Sequence, residues 1–255
     1  MRAVLISAGK GERLYPLTKN TPKSLLEVGN GLTLLETQLH SLSENNIKDI
    51  VIIVGYKAEQ IEAKIKDYQS KLNITTVYNP FFDISNNLLS VWMARHYMNE
   101  EFISINGDDI FSPVVVENLL KSKYDITMVI DEKKEYDDDD MKVIHKDGNI
   151  LEVSKKIDSK KANGESIGMI KFSNKGPKIY TDILDEMVRD PENRNVFYLK
   201  AIQQIIDKGF KVNYSLCNET DWSELDFHPD LKLIRTYLKR NNILENLSKE
   251  KKHRS

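Results

Sequence analysis

Ala3-Val4-Leu5-Ile6-Ser7-Ala8-Gly9-Lys10-Gly11-Glu12-Arg13-Leu14, followed by Pro16-Leu17-Thr18 and Pro22-Lys23, is the stretch on which the reading of this chain turns. The run Val4-Leu5-Ile6 has the length and β-branching of a buried strand, and it meets two glycines that let the backbone turn tightly. Without Cβ atoms at Gly9 and Gly11, successive backbone N–H groups are free to face phosphate oxygens, and Arg13 and Lys23 add full positive charges. Such a strand feeding an anion cradle suits a polyphosphate. A lone Gly-x-Gly after a strand suits an ordinary turn equally well. Leu14 stands where the third glycine of a dinucleotide fingerprint would fall, and no Gly-Lys-Ser/Thr follows to make a Walker loop.

The following residues alternate in period. Leu34, Leu35, Leu39 and Leu42 fall at helical spacing behind the candidate N-cap Thr33, 49–54 reads as a strand, Ile61, Ile65 and Tyr68 mark a helix, and 74–78 a further strand. This is βαβαβ, the pattern of a parallel sheet whose ligands sit beyond the carboxyl ends of its strands, where the glycine loop lies. The polar and aromatic segment from Tyr78 leads into a helix capped by Ser85 or Asn86, with Leu88, Leu89, Trp92 and Met93 as its expected core face. Asn79 and Asn86 offer both donor and acceptor, as reading a nucleobase edge requires, although capping alone explains one of them. The strand 102–106 ends at Gly107-Asp108-Asp109, two carboxylates at the same sheet edge, a place where Asp and Gly are also ordinary turn residues. Ser112-Pro113 then opens a helix.

From residue 125 the pattern changes. A strand over 126–130, a charged segment ending in the block Asp137 to Asp140, a hairpin turning at Asp147-Gly148 and a strand over 164–172 predict mixed strand directions. Helices are predicted over 180–188 and 196–208, the second stopped by Gly209, with a strand over 210–216 and a last helix starting at Pro229. The expected architecture is α/β, a Rossmann-like three-layer α/β/α sandwich with a mostly parallel central sheet and a smaller mixed β region for an acceptor. It forms a single domain over 1–240, split into halves 1–111 and 112–240, with a polar, basic tail over 241–255.

Composition narrows the function. A net charge of −2 argues against a general nucleic-acid binder. The single cysteine, Cys217, excludes an internal disulfide and a cysteine-based zinc site. The five histidines show no ligand spacing, and no Ser/His/Asp arrangement stands out. The apolar run from Ala3 to Ala8 is too short for a signal peptide, and nothing approaches a membrane span, so a cytoplasmic protein without a membrane partner is expected.

The run Ala-Gly-x-Gly-x-Arg-Leu, then Pro-Leu-Thr, then Pro-Lys resembles the signature of the nucleotidyltransferases that make sugar nucleotides and CDP-alcohols, with Ser7 where that family usually has a second alanine. The resemblance implies that Ser7, Ala8, Gly9 and Gly11 wrap a nucleoside triphosphate, with Arg13 and Lys23 as catalytic cations. It implies that Asp108 and Asp226, the latter in Trp222-Ser223-Glu224-Leu225-Asp226, hold Mg²⁺ and act in catalysis. Lys155 resembles the lysine that meets the acceptor phosphate, and Glu165 the acidic residue on the acceptor side. Asn79-Pro80-Phe81, Ser85-Asn86-Asn87, Met141-Lys142-Val143 and Gly164-Glu165-Ser166-Ile167-Gly168 look most like the branch of phosphocholine-type, inositol-phosphate and phosphoglutamine cytidylyltransferases. That branch implies CTP and a small phosphorylated or phosphonylated acceptor, met by Lys142, Lys155, Glu165 and Trp222. The acids and the Trp222 ring suit an ammonium group, although acids near a site equally hold a second metal. A sugar-1-phosphate nucleotidylyltransferase and a catalytically idle nucleotide-sensing domain remain as rivals, and a homodimer remains open.

Overall fold

The computed structural model describes residues 1–240; the expected tail over 241–255 lies outside the described residues. In chain order the elements are β1 (Arg2–Ser7), the small hairpin β2 (Glu27–Gly29) and β3 (Leu32–Thr33), α1 (Leu34–Glu44), β4 (Asp49–Val54), α2 (Ala58–Ile65), β5 (Asn73–Tyr78), α3 (Asn87–Met93), β6 (Phe102–Asn106), β7 (Asp109–Phe111) and α4 (Pro113–Leu120). The second half contributes β8 (Ile126–Asp131), β9 (Lys142–Lys146), β10 (Asn149–Val153), β11 (Gly164–Phe172), α5 (Gly176–Met187), α6 (Leu199–Asp207), β12 (Asn213–Leu216), β13 (Trp222–Glu224) and α7 (Asp230–Arg240).

One nine-stranded sheet runs in the order β5-β4-β1-β6-β11-β8-β12-β10-β9. Its first four strands are parallel, with β1 central between β4 and β6. From β11, antiparallel to both β6 and β8, the directions mix. The mixed strands extend the same sheet, and β9 folds back to pair with β11 as well as β10. The period-2 alternation of β1 explains the layering: Val4 and Ile6 pack on the face covered by α3, α5 and α6, while Ala3 and Leu5 pack on the face covered by α1, α2 and α4. A third apolar cluster joins Leu14, Leu26 and Ile110 to Leu225, Ile234 and Leu238, and so ties the first loop to the end of the described chain.

Local signals hold in detail. Thr33 caps α1 and accepts from the Glu36 backbone N–H, while the Glu36 carboxylate accepts from the Thr33 N–H, a complete capping box. Asp147 and Gly148 both take positive φ at the hairpin turn, and Gly209 takes positive φ beyond α6. The core face of α3 differs from the expected one. Leu88, Val91 and Ala94 are buried, while Leu89, Trp92 and Met93 are only half-buried, because Trp92 turns its indole N–H outward to Asp185 Oδ1. α5 starts earlier than expected, with Pro177 in its first turn, and α6 starts later, at Leu199, because 191–195 forms a short turn of its own.

Candidate active site

The first loop is fixed to the middle of the sheet by two close approaches. Gly107 N–H donates to Ile6 O at 3.0 Å, and a Cβ at Gly107 would lie 2.4 Å from both Ile6 O and Ser7 Oγ. Only glycine lets Asp108 follow β6 this close to the end of β1. Gly11 has φ of +63° and offers its carbonyl to Thr18 Oγ1 at 2.7 Å. A Cβ at Gly9 would meet nothing within 4 Å, so that glycine leaves open space rather than relieving a clash. Ser7, Ala8, Gly9, Gly11, Lys23, Asn86 and Asp108 all line one cleft of about 370 Å³. Ser7 Oγ and Ser24 Oγ are buried there without a hydrogen-bond partner.

Three distant segments converge on a single nitrogen. Lys23 Nζ donates to Asp108 Oδ2 at 2.9 Å and to Asp226 Oδ1 at 2.6 Å, and Arg13 Nη1 donates to Asp226 Oδ2 at 3.0 Å. Burial works to strip Lys23 of its proton, but the two carboxylates outweigh it and hold the ammonium above the ordinary lysine range. Burial likewise works to raise Asp226, and Lys23 and Arg13 outweigh it and hold that carboxyl below its usual range. Arg13 also lies 5.4 Å over the Phe227 ring.

Antiparallel pairing of β13 with β7 sets Glu224 opposite Asp109 and draws Leu225 N–H to Asp108 O at 3.1 Å. Carboxylate oxygens of Asp108, Asp109 and Glu224 lie within 4.8 Å of one another. Burial first, then neighbouring negative charge, pushes Asp109 and Glu224 well above the carboxylate range. Asp109 Oδ2 is buried with no hydrogen-bond partner. Crowded oxygen donors with an orphaned buried oxygen fit a hard divalent cation. The sequence reading named Asp109 beside Asp108 as a carboxylate at the sheet edge but carried only Asp108 into the metal set, and it gave Glu224 no role. The available signal was the alternation Trp222, Glu224, Asp226, which places every second side chain on one face of the strand and its extension.

On the other side, Lys155 and Glu165 line a cleft of about 170 Å³ together with Arg13, Asp108, Glu224 and Asp226. Lys155 Nζ lies 5.1 Å over the Phe197 ring and 3.9 Å from Asp139. Glu165 is paired with Lys133, and burial, only partly offset by that lysine, pushes its carboxyl up to about 7.

Two expected contacts, Asn79 and Lys142, belong elsewhere, and the third, Trp222, reaches only an outer wall. Asn79 is fully buried, donates to Ser90 Oγ at 2.8 Å and accepts from Phe81 N–H at 2.9 Å, so its amide is spent on building the loop. Lys142 is buried and donates to the Asp137 carbonyl at 2.5 Å, which holds the acidic block from below. Trp222 is buried with its indole N–H on Asp131 Oδ2 at 2.8 Å; it forms part of an outer cavity wall, and its ring packs in the core.

The nucleotidyl transferase family model matches residues 2–231. The bifunctional protein GlmU of Methanococcus aeolicus is 32% identical over 245 residues, covering 94% of this chain and 56% of that protein. CTP:phosphoglutamine cytidylyltransferase of Campylobacter jejuni is 26% identical over 256 residues, covering 91% of this chain and 98% of that one. Among solved structures, CTP:phosphocholine cytidylyltransferase from Streptococcus pneumoniae superposes with a TM-score of 0.78 at 23% identity, covering 93% of this chain and 98% of that one. The chain spans about half the length of the first curated relatives it matches. A family match over nearly the whole described chain, on a fold that brings the glycine loop, Lys23 and the acidic pairs together, gives one conclusion: the chain belongs to the nucleotidyl transferase family.

Proposed function

We propose that this protein transfers CMP from CTP to a small phosphorylated or phosphonylated acceptor with release of pyrophosphate. The observation that carries the reading is the convergence of Lys23, Asp108 and Asp226 on one nitrogen, between the cleft under the glycine loop and the cleft that reaches Lys155 and Glu165. Residues 1–111 would bind the triphosphate and 112–240 the acceptor. In the reaction an acceptor phosphate oxygen forms a bond to the α-phosphorus while the α–β bridging bond breaks, and its electron pair leaves with pyrophosphate. A dianionic acceptor has no proton to lose, so the chain needs no general base. Its work is positioning and charge neutralisation between two negative reactants. Backbone N–H groups of 7–11 with Arg13 and Lys23 hold the β- and γ-phosphates, Asn86 lies beside the nucleoside end, and Lys155 holds the acceptor phosphate.

Asp108 and Asp226, which Lys23 bridges in this structure, are the residues that would hold Mg²⁺, with Asp109 and Glu224 close enough to Asp108 to complete the oxygen set, and the ion when bound supplies positive charge at the α-phosphate. Among the described residues no helix is long and apolar enough to cross a membrane. The reading places the protein in the cytoplasm, making CDP-linked precursors for surface polysaccharide or lipid decoration. A second reading, transfer to a sugar 1-phosphate, is favoured by the similarity to GlmU over 94% of the chain.

A pyrophosphate-release assay with CTP, UTP, ATP and dTTP against phosphorylated alcohols, amines and sugars tests both. CTP with a non-sugar phosphate is expected to turn over fastest. Faster reaction of UTP or dTTP with a sugar 1-phosphate would install the second reading, and no turnover of any pair with magnesium would overturn both.

A further inference from the structure

Beyond the transfer site, between the 132–141 loop, β11 and β13, a cavity of about 680 Å³ opens to solvent. It shares Asp139, Glu165, Glu224 and Asp226 with the inner cleft that contains Lys155, so an acceptor whose phosphate meets Lys155 directs its other end into this cavity. Glu165 is 4% exposed at the junction. Its carboxylate is covered by the Lys133 ammonium, which also meets Asp140 Oδ1 at 3.3 Å. Lys133 comes from the charged segment after β8 and lines the same cavity.

The chain has thus set a hydrogen-bonding ammonium of its own on two carboxylates where the inner cleft opens into this cavity. The two aromatics of the cavity wall are already engaged. Trp222 is buried with its indole N–H on Asp131, and the Phe227 ring already faces the Arg13 guanidinium at 5.4 Å. A quaternary ammonium makes no hydrogen bonds and relies on ring faces. A primary ammonium instead satisfies carboxylate oxygens through directed, charge-assisted hydrogen bonds.

We infer that Glu165 and Asp140 form a subsite for a primary ammonium on the acceptor, that Lys133 occupies it when no acceptor is bound, and that the acceptor class is therefore a phosphorylated or phosphonylated primary amine. The inference rests on the proposed nucleotidyl transfer and names its acceptor. Lys133 yields its place to the incoming amine, so it acts as an internal competitor that acceptors without such an amine have no means of replacing on equal terms.

Phosphoethanolamine, phosphocholine and glycerol 3-phosphate test this directly, because the first two differ only in N-methylation and the third has no charged nitrogen. With CTP and magnesium, phosphoethanolamine is expected to show at least about tenfold higher kcat/KM than the other two, about the discrimination expected when a directed polar contact goes unmade. Glu165→Gln should erase that preference by raising the phosphoethanolamine KM while leaving the CTP KM unchanged, which also reports an intact fold. Lys133→Met should lower the phosphoethanolamine KM and leave that of glycerol 3-phosphate as it was. Equal or better use of phosphocholine, or an equal effect of Glu165→Gln on all three acceptors, would overturn the inference while leaving nucleotidyl transfer in place. If no nucleotide turns over with any acceptor, calorimetric binding decides. Phosphoethanolamine binding above glycerol 3-phosphate, lost in Glu165→Gln, supports the subsite, and equal binding overturns it.

Discussion

The two walls of the site are built by different physics. On the nucleotide side, the 7–11 loop is fixed by the backbone: Gly107 N–H on Ile6 O, Tyr56 N–H on Ala8 O at 3.0 Å, and Leu14 buried in an apolar cluster with Leu26 and Ile110. On the acceptor side, the 132–141 segment is tied largely by charge: Lys133 to Glu165 and Asp140, and Asp139 to both Arg13 and Lys155 at 3.9 Å. Backbone contacts and packing define donor positions closely, whereas partly exposed ion pairs add little energy each and rearrange readily. Under the proposed function, a rigid nucleotide wall facing an adjustable acceptor wall would let one fold keep its triphosphate chemistry while the second substrate varies.

Lys23 stands where the two walls meet, and its removal gives the largest expected effect. Lys23→Ala leaves Asp108 and Asp226 facing each other without their shared cation and withdraws a charge from the triphosphate. Turnover should fall by about 10³-fold or more, with the loss in kcat and not only in the CTP KM. Activity near that of the unmodified protein would break the assignment of this junction as the reacting centre. Glu224→Gln comes next, with about a 10- to 100-fold loss that rising magnesium partly restores. A loss indifferent to magnesium would remove Glu224 from the cation site and reduce it to a partner of Asp109 across the β7/β13 pair.

The same contrast explains what the sequence made legible. β1 and β4 could be read because their apolar runs are continuous, β5 and β6 because β-branched and aromatic residues dominate them, and the Thr33 capping box because all its partners lie within four residues. The cleft around Ser7, Gly9, Gly11, Lys23, Asn86 and Asp108 could be read because a parallel sheet delivers every strand end to one edge. Glu224 escaped because its meaning depends on pairing with Asp109, more than 100 positions away, and no local pattern encodes that register. Lys142 misled for the opposite reason. Its neighbours matched a family pattern, but β9 turns its side chain beneath the acidic block to the Asp137 carbonyl. Lys133 carried no motif at all, and only the fold sets it against Glu165.

A pH profile sharpens the comparison at smaller amplitude. Burial raises Glu165 to about 7 even with Lys133 beside it, and Asp140 adds to the rise. Only its ionised form accepts from an ammonium, so kcat/KM for an amine acceptor should climb as pH rises through about 7 and then level, whereas Glu165→Gln should keep only the lower limb, at about pH 6, that the acceptor phosphate's own second ionisation gives. Stability moves the other way. A carboxyl whose folded pKa is raised binds more protons in the fold than in the unfolded chain, so its contribution is fully present below the ordinary glutamate value and is lost as pH rises through about 7. Glu165→Gln removes that loss, and its melting temperature relative to the unmodified protein should improve between pH 5 and pH 8. A pH-independent difference would mean that Glu165 does not titrate there.

The smallest effect on chemistry is expected at Asn79, where sequence and structure disagree most about purpose. Its side chain is fully buried and joins Ser90 Oγ to the Phe81 N–H, while its own N–H donates to Val54 O at 2.8 Å. Asn79→Ala keeps the backbone bond but leaves a hydroxyl and an N–H without their buried partner, at a cost of about 1–3 kcal/mol in denaturant unfolding. Because no part of the amide reaches the cleft, kcat/KM for CTP should stay close to that of the unmodified protein at temperatures where the variant is folded. Asn86→Ala is the informative control: it removes a helix-capping oxygen from α3 and also a group that lines the cleft. If the Asn79 variant lost CTP selectivity and the Asn86 variant kept it, the nucleotide wall would be reading its base through the buried loop rather than at the cleft surface. The rigid side of the comparison would then extend a full layer deeper than the backbone contacts around Ser7 and Gly107.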